Sequence, residues 1–244
     1  MRTDGRQDHQ IREVKITPNF LENAEGAVLV EFGKTKVICT ASYEDTAPKW
    51  LQGSGQGWVT AEYGMLPRST HSRVKREKGM ASGRTHEISR LIGRSLRVAV
   101  DLRKLNERQI TIDCDVIQAD GGTRTASVTG GFVALALALK KLVDVSEIRD
   151  LPLVNYVAAV STGLRGEKVL LDLNYEEDSS VQTDMNFVMT QDGRFVEIQG
   201  TAEHHPFTRE ELMKMMEAAS MGCRELFLAQ EEVLKSFFPL PKRF

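Results

Sequence analysis

Cysteine is scarce. The chain of 244 residues holds three, Cys39, Cys114 and Cys223, too widely scattered for a zinc site or a disulfide framework. They read as small core residues in a reducing compartment. Long apolar runs are missing too. The longest, Phe132 to Leu139, falls far short of the roughly 18 residues of a membrane span and reads as a buried helix face. The start, Met1 to Gln10, is polar and charged and lacks the pattern of a secretory signal. The expectation is a cytoplasmic protein with no membrane partner. Neither sign of charge dominates: 32 Lys and Arg stand against 34 Asp and Glu, a net charge of −2. Any nucleic-acid surface must therefore be a local patch. The length allows one large domain or two small ones. With no low-complexity linker, repeat or Pro/Gly-rich hinge, one domain over 1–244 is expected, with an N-terminal core in 1–150 and a C-terminal part in 151–244.

Several signatures of catalysis are also lacking. Gly33-Lys34-Thr35 suggests a phosphate-binding P-loop, but the glycine required five residues before Gly33 is Val28, and the triplet joins two strands rather than a strand and a helix. Gly53, Gly55 and Gly57 precede a strand, not the helix of a dinucleotide fingerprint. No Gly-x-Ser-x-Gly elbow or His-Glu-x-x-His helix exists. His204-His205-Pro206 reads as a turn with solvated histidines.

What is present is a soluble composition, 41% hydrophobic and 27% charged, in clear periodic blocks. Ala27–Phe32 and Lys36–Ser42 read as a hairpin turning at Gly33-Lys34, and Trp58–Tyr63 as a further strand. Gln109–Gln118 alternates, with Ile110, Ile112, Cys114 and Val116 on one face. Further strands are expected at Val154–Thr162, Lys168–Leu173, Asp184–Thr190 and Arg194–Gln199. Helices are expected over Thr85–Val100, capped by Thr85, over the apolar Ser127–Val143, and from Thr208 to about Phe237, opened by a Thr208/Glu211 capping box. Hairpin strands and helices in blocks argue an α+β fold of mixed sheets with packed helices.

Three constellations carry chemistry. Asp113 through Ser127 runs from a buried strand through Gly121-Gly122 to Thr123-Arg124 at a helix threshold. A helix start offers free N–H groups and partial positive charge. The glycines remove Cβ atoms from an anion's approach, and Arg124 adds a planar fork of donors. Arg84 stands at a second helix start, so two arginines could clasp one phosphate. The same pattern also suits an ordinary strand–turn–helix junction with a solvated arginine. Arg90, Arg94 and Arg97 form a stripe on that helix, read as a solvated face or subunit contact. Second, Asp178 on a loop lies six residues before Asp184 at a strand start. Such a pair suits Mg²⁺, which takes one or two carboxylates and is completed by water and substrate phosphate; an acid-rich turn is the alternative. Third, the loop Arg68 to Lys78 holds five cations and one anion in eleven residues. It would attract an RNA backbone and lose affinity with salt, or it is simply a solvated loop.

Motifs spread over the whole chain now combine. They are Arg2, Asp4-Gly5-Arg6 and Arg12; Phe32 to Val37; Gly55-Gln56-Gly57-Trp58 with Thr60 to Pro67; Gly83-Arg84-Thr85; Asp113 through Thr125; and Asp178 with Asp184-Met185-Asn186. Together they resemble the ribonuclease PH family of phosphate-dependent exoribonucleases. The resemblance implies a ribosomal-protein-S5-domain-2-like fold and a homohexameric ring, a trimer of dimers. It implies trimming of tRNA precursors and other RNA 3′ ends, in which RNA(n+1) and phosphate give RNA(n) and a nucleoside diphosphate. Inorganic phosphate is then a co-substrate and Mg²⁺ the cofactor. The implied catalytic set is Arg84, Arg124, Asp178 and Asp184. Arg84, Gly122, Thr123 and Arg124 would bind phosphate. Asp178 and Asp184 would hold the metal, with Asn186 a weaker member, and Arg68, Arg73 and Arg76 would grip tRNA. A ring subunit of an exosome-like complex, catalytic or not, is the other reading.

Overall fold

Alternating side chains build the first sheet. Its strands are β1 (Val14–Pro18), β2 (Gly26–Phe32), β3 (Thr35–Glu44), β4 (Trp58–Met65) and β5 (Gln109–Gln118), in the order β1-β2-β3-β5-β4. Along β5, Ile110, Ile112, Cys114 and Val116 are buried while their neighbours stay at least partly open. Burial of one face fixes the register, because a one-residue slip would turn the apolar set to water. The β2–β3 hairpin turns at Gly33-Lys34 with Gly33 at φ 55°. All neighbours are antiparallel except β4 and β5, which are parallel. The connection between those two carries α1 (Gly83–Arg97), as a parallel pair requires. The second sheet is antiparallel throughout, ordered β7-β6-β8-β9 from β6 (Val157–Arg165), β7 (Lys168–Leu171), β8 (Thr183–Thr190) and β9 (Phe195–Ala202). Three more helices are α2 (Thr123–Asp144), α3 (Tyr175–Asp178) and α4 (Arg209–Leu234). This computed structural model describes residues 2–76, 82–202 and 206–238. Glu77 and Lys78 of the basic loop, and His204 and His205, lie outside them.

Helix α2 is the centre of the molecule. It packs on β2 and β3 of the first sheet and on β6 of the second, and touches α1 and α4. A Cβ at Gly130 would come within 2.5 Å of Val30 Cγ1, so the missing side chain sets how closely helix and strand approach. One apolar cluster joins Val30 and Ile112, Leu135 of α2, and Val160 and Phe187 of the second sheet. All three cysteines are free and buried, as their spacing suggested. At 22 residues α2 is longer than the apolar run read from sequence, and long and apolar enough to cross a membrane. Yet 83% of its apolar window is buried inside the protein, which makes it a core helix.

The α+β class follows as expected, with corrections at element ends. Helix α1 starts at Gly83 and is capped by Ser82, whose hydroxyl accepts from the Thr85 amide; Thr85 is not the cap. Helix α2 starts four residues before Ser127, because the Gly121-Gly122 turn already aims the chain along the helix. Strand β6 begins at Val157; the Val154 amide is used earlier, on Ala99 O. Asp178 ends the one-turn helix α3 rather than lying on a loop. Strand β1 was not foreseen; five residues are too few to show a period. The stripe on α1 is partly internal: Arg94 pairs with Glu197 at 2.6 Å, and Arg97 lies 4.2 Å over the Trp58 ring. The capping box that opens α4, Thr208 with Glu211, forms as the spacing predicts.

Candidate active site

The turn before α2 is built from two left-handed residues, Gly121 at φ 72° and Gly122 at φ 64°. Such values favour glycine. The space around them adds a second reason. A Cβ on Gly121 would lie 2.6 Å from the Asn174 carbonyl carbon, and one on Gly122 would lie 2.7 Å from Arg12 Nη2. The glycines therefore let the turn dock on its own protein as well as opening the helix end. Gly122 is the N-cap and supplies no side-chain cap. The first helical bond runs from the Ala126 amide to Gly122 O, so the amides of Thr123, Arg124 and Thr125 precede it, as at any helix start.

Arg84 and Arg124 occupy the same position, the second residue, of α1 and α2. The first turns of the two helices are linked, Arg124 reaching Glu87 of α1, and both arginine charges act on Tyr63 of β4. Tyr63 on β4 bonds Thr123 Oγ1 at 2.8 Å. Burial pushes its phenol above the ordinary value, while the Thr123 bond and the charges of Arg84 and Arg124 pull it down. Arg124 Nη1 donates to Glu87 Oε1 of α1 at 3.2 Å and to Gln199 Oε1 of β9 at 2.9 Å. Arg84 is exposed.

The two carboxylates come from α3 and from β8 of the second sheet. Asp184 lies on β8, sharing a half-buried face with Asn186 while Met185 and Phe187 are buried opposite. Asp178 comes from α3. Its carboxyl is raised above the ordinary range, first by its crowded surroundings and then by the charge of Asp184. Arg124, Arg84 and Arg12 act against that rise. Asp178 thus feels charges from three other elements, Asp184 of β8, Arg124 of α2 and Arg84 of α1. No cluster of three or more metal-binding side chains occurs among the described residues. Asp113 and Asp115 sit on the outer face of β5, both raised chiefly by burial.

The basic loop is tethered beside the turn. Ser69 O accepts from the amide of Ala119, the residue before Asp120. The Val74 amide closes the loop on Pro67 O, and Arg68 Nη1 reaches His71 O at 3.1 Å. His71 tilts against Tyr175 of α3, ring centres 6.2 Å apart. Arg68, Arg73 and Arg76 are all exposed.

The sequence pattern gives Arg2, Arg6 and Arg12 no role, and Asp172 and Glu177, part of the acid-rich segment before Asp178, show no sign in it of their arginine partners. Asp172 is fully buried, at φ 54°, and holds the Arg12 fork at 2.7 and 2.9 Å. Burial alone would raise its carboxyl; the Arg12 charge and bonds hold it below the ordinary value. Arg2 grips both oxygens of Glu177 at 2.7 Å, and Glu177 closes the capping box of α3. One signal was available: Asp172 stands among Leu170, Leu171 and Leu173, and a carboxylate in so apolar a run needs a buried partner.

Comparison with known proteins agrees along the chain. A family model described as the 3′ exoribonuclease family, domain 1, matches residues 10–141, and domain 2 of that family matches 155–222. A protein named Ribonuclease PH from Bdellovibrio bacteriovorus is 67% identical over 240 residues, covering 98% of this chain and 99% of that protein. Among solved structures, a chain of the Archaeoglobus fulgidus exosome with RNA bound to the active site superposes with TM-score 0.78 at 24% identity, covering 93% of this chain and 91% of that one. Rice Rrp46 superposes with TM-score 0.76 at 17% identity, over 97% of this chain and 99% of its own. At these identities the structures establish the fold alone.

Proposed function

The chain belongs to the 3′ exoribonuclease family, and from that premise we propose that it is a phosphorolytic 3′–5′ exoribonuclease that trims tRNA precursors and other RNA 3′ ends. Inorganic phosphate is the nucleophile, and each turn releases a nucleoside diphosphate. The observation that carries this reading is the pair of arginines, each the second residue of a helix, whose charges act on Asp178 together with that of Asp184.

Phosphorolysis needs no serine, cysteine or histidine nucleophile. Its obstacle is the approach of one anion to another: each like-charge contact at about 4 Å costs about 4 kcal/mol at an effective dielectric of about 20. Arg84, Arg124 and the amides of Gly122 and Thr123 neutralise the attacking phosphate. Arg124 exchanges its bond to Glu87 for the anion, a favourable trade because that acid is nearly half exposed. Asp178 and Asp184 suit a divalent cation: the charge of Asp184 adds to the rise of the Asp178 carboxyl, and Mg²⁺ takes one or two carboxylates besides water and phosphate. When bound, that ion would supply Lewis-acid stabilisation of charge on the leaving 3′ oxygen. Arg68, Arg73 and Arg76 hold the RNA body through its phosphates.

The chain works as one domain, since a single apolar cluster crosses both sheets. It assembles as a homohexamer, a trimer of dimers, and acts in the cytoplasm, in keeping with three free buried thiols. Likeness to archaeal exosome chains favours a second reading, a ring subunit that needs a partner protein. Two measurements decide. RNA shortening should require added phosphate and yield nucleoside diphosphates; monophosphates formed without phosphate would identify a hydrolase. Light scattering of the purified chain should give six copies; an inactive monomer that gains activity with a partner would favour the second reading.

A further inference from the structure

We propose that Arg12 is a positioning residue for the phosphate seat. It fixes the Gly121-Gly122 turn at the angle from which α2 presents its amides and Arg124. The inference rests on the phosphorolytic reading above and adds a residue that touches neither phosphate nor RNA.

One guanidinium joins two remote strands of chain. Arg12 Nε and Nη2 donate to the two oxygens of Asp172 at 2.9 and 2.7 Å, and the Arg12 amide donates to Asp172 Oδ2 at 2.8 Å. The remaining nitrogen, Nη1, turns the other way. It donates to Asp120 O at 2.7 Å and Gly121 O at 3.4 Å, the carbonyls immediately before the N-cap of α2. The side chain is 5% exposed, so the fork is spent inside the protein. Thr35 closes the same turn, its hydroxyl donating to Gly121 O at 2.7 Å and accepting from the Asp120 amide at 2.9 Å. The turn is thus held at both of its peptide groups by side chains from outside it.

The other limb of the site is held from the same N-terminal segment. Arg2 donates to Leu171 O at 2.8 Å, to Asp172 O at 3.0 Å and to Glu177, one residue before Asp178. Asp172 is therefore the hub: its side chain fixes the turn through Arg12, and its carbonyl is fixed by Arg2. Lysine cannot replace Arg12 here, since an ammonium lacks the planar fork needed to serve a carboxylate and a carbonyl on opposite sides at once. A seat displaced by a fraction of an ångström would still exist but would hold phosphate poorly.

The test is steady-state phosphorolysis by the full chain carrying Arg12→Lys or Thr35→Val, with kcat and the separate KM values for inorganic phosphate and for RNA. Arg12→Lys should raise the phosphate KM on the order of tenfold to a hundredfold and leave the RNA KM unchanged. Thr35→Val should raise the phosphate KM by less, in the same direction. Calorimetric titration with inorganic phosphate alone should show the same ranking. Lower kcat or a smaller active fraction, with the phosphate KM unchanged in both variants, would make Arg12 a purely structural residue and overturn the inference while phosphorolysis stands. If Arg12→Lys does not fold, an unchanged phosphate KM in Thr35→Val overturns it alone. Wild-type shortening of RNA indifferent to phosphate would overturn the phosphorolytic reading and this inference with it.

Discussion

The arginines of the N-terminal segment and those of the loop after β4 have the same chemistry and opposite surroundings. Arg2 and Arg12 expose 0% and 5% of their side chains and give their donors to carboxylates and carbonyls of the fold. Arg68, Arg73 and Arg76 are open to water. A buried guanidinium with a buried carboxylate recovers its desolvation cost only when every bond is made. Asp172 meets that condition, and its left-handed backbone persists because the surrounding structure over-determines it. An exposed guanidinium leaves its donors for a ligand. Burial therefore separates arginines that build the fold from arginines with open donors, and Arg124, 18% exposed and bonded to Glu87 and Gln199, stands between the two groups.

The sharpest way to break this contrast is Asp172→Ala, which leaves Arg12 buried without its carboxylate. Urea unfolding at neutral pH should show a loss of about 3–5 kcal/mol; a loss under about 1 kcal/mol would place the N-terminal arginines with the surface ones. Next in size is Arg124→Ala. Phosphate-dependent RNA shortening should fall on the order of 10²- to 10³-fold while the melting temperature barely moves. Wild-type-like release of nucleoside diphosphates would remove Arg124 from the seat. Asp184→Asn should abolish turnover and spare RNA affinity, read by anisotropy; full turnover in saturating Mg²⁺ would end its proposed role.

Smaller effects belong to the exposed set. The triple change Arg68, Arg73 and Arg76→Gln should flatten the salt dependence of RNA binding by about two units of slope if three phosphate contacts are lost. Its stability should stay within about 0.5 kcal/mol of wild type. An identical slope would exclude the loop from binding. The smallest expected effect is with pH. The Asp172 carboxyl is held below its ordinary 3.8, so the unfolded chain takes up a proton first as pH falls. Its contribution is complete above that value and is lost as pH drops below it toward the folded value. The melting-temperature gap between wild type and Asp172→Asn should therefore narrow below about pH 4. A gap that stays constant or widens on acidification would mean that Asp172 is not ionised in the folded protein.

Much of the fold was legible because its signals are local. The β5 alternation sets that strand to the residue, and Thr208 with Glu211 announces α4. Gly121-Gly122-Thr123-Arg124 announced a turn into a helix, and Asp178 and Asp184 stood out as a spaced pair. Misreadings fell where a neighbour overrides local preference: Ser82 takes the cap expected of Thr85, and Arg97 stacks on Trp58 instead of facing water. Short elements such as β1 and α3 carried too few residues to show a pattern.

The sequence by itself determined most of the elements and the α+β class, because periodicity and turn propensity act over a few neighbours. Only the tertiary structure decided which arginines are buried, that Arg12 reaches Asp172 160 positions away, and that the charges of Arg84, Arg124 and Asp184 all reach Asp178. Those facts depend on long-range packing and on the cost of burying charge, which no local stretch of chain records.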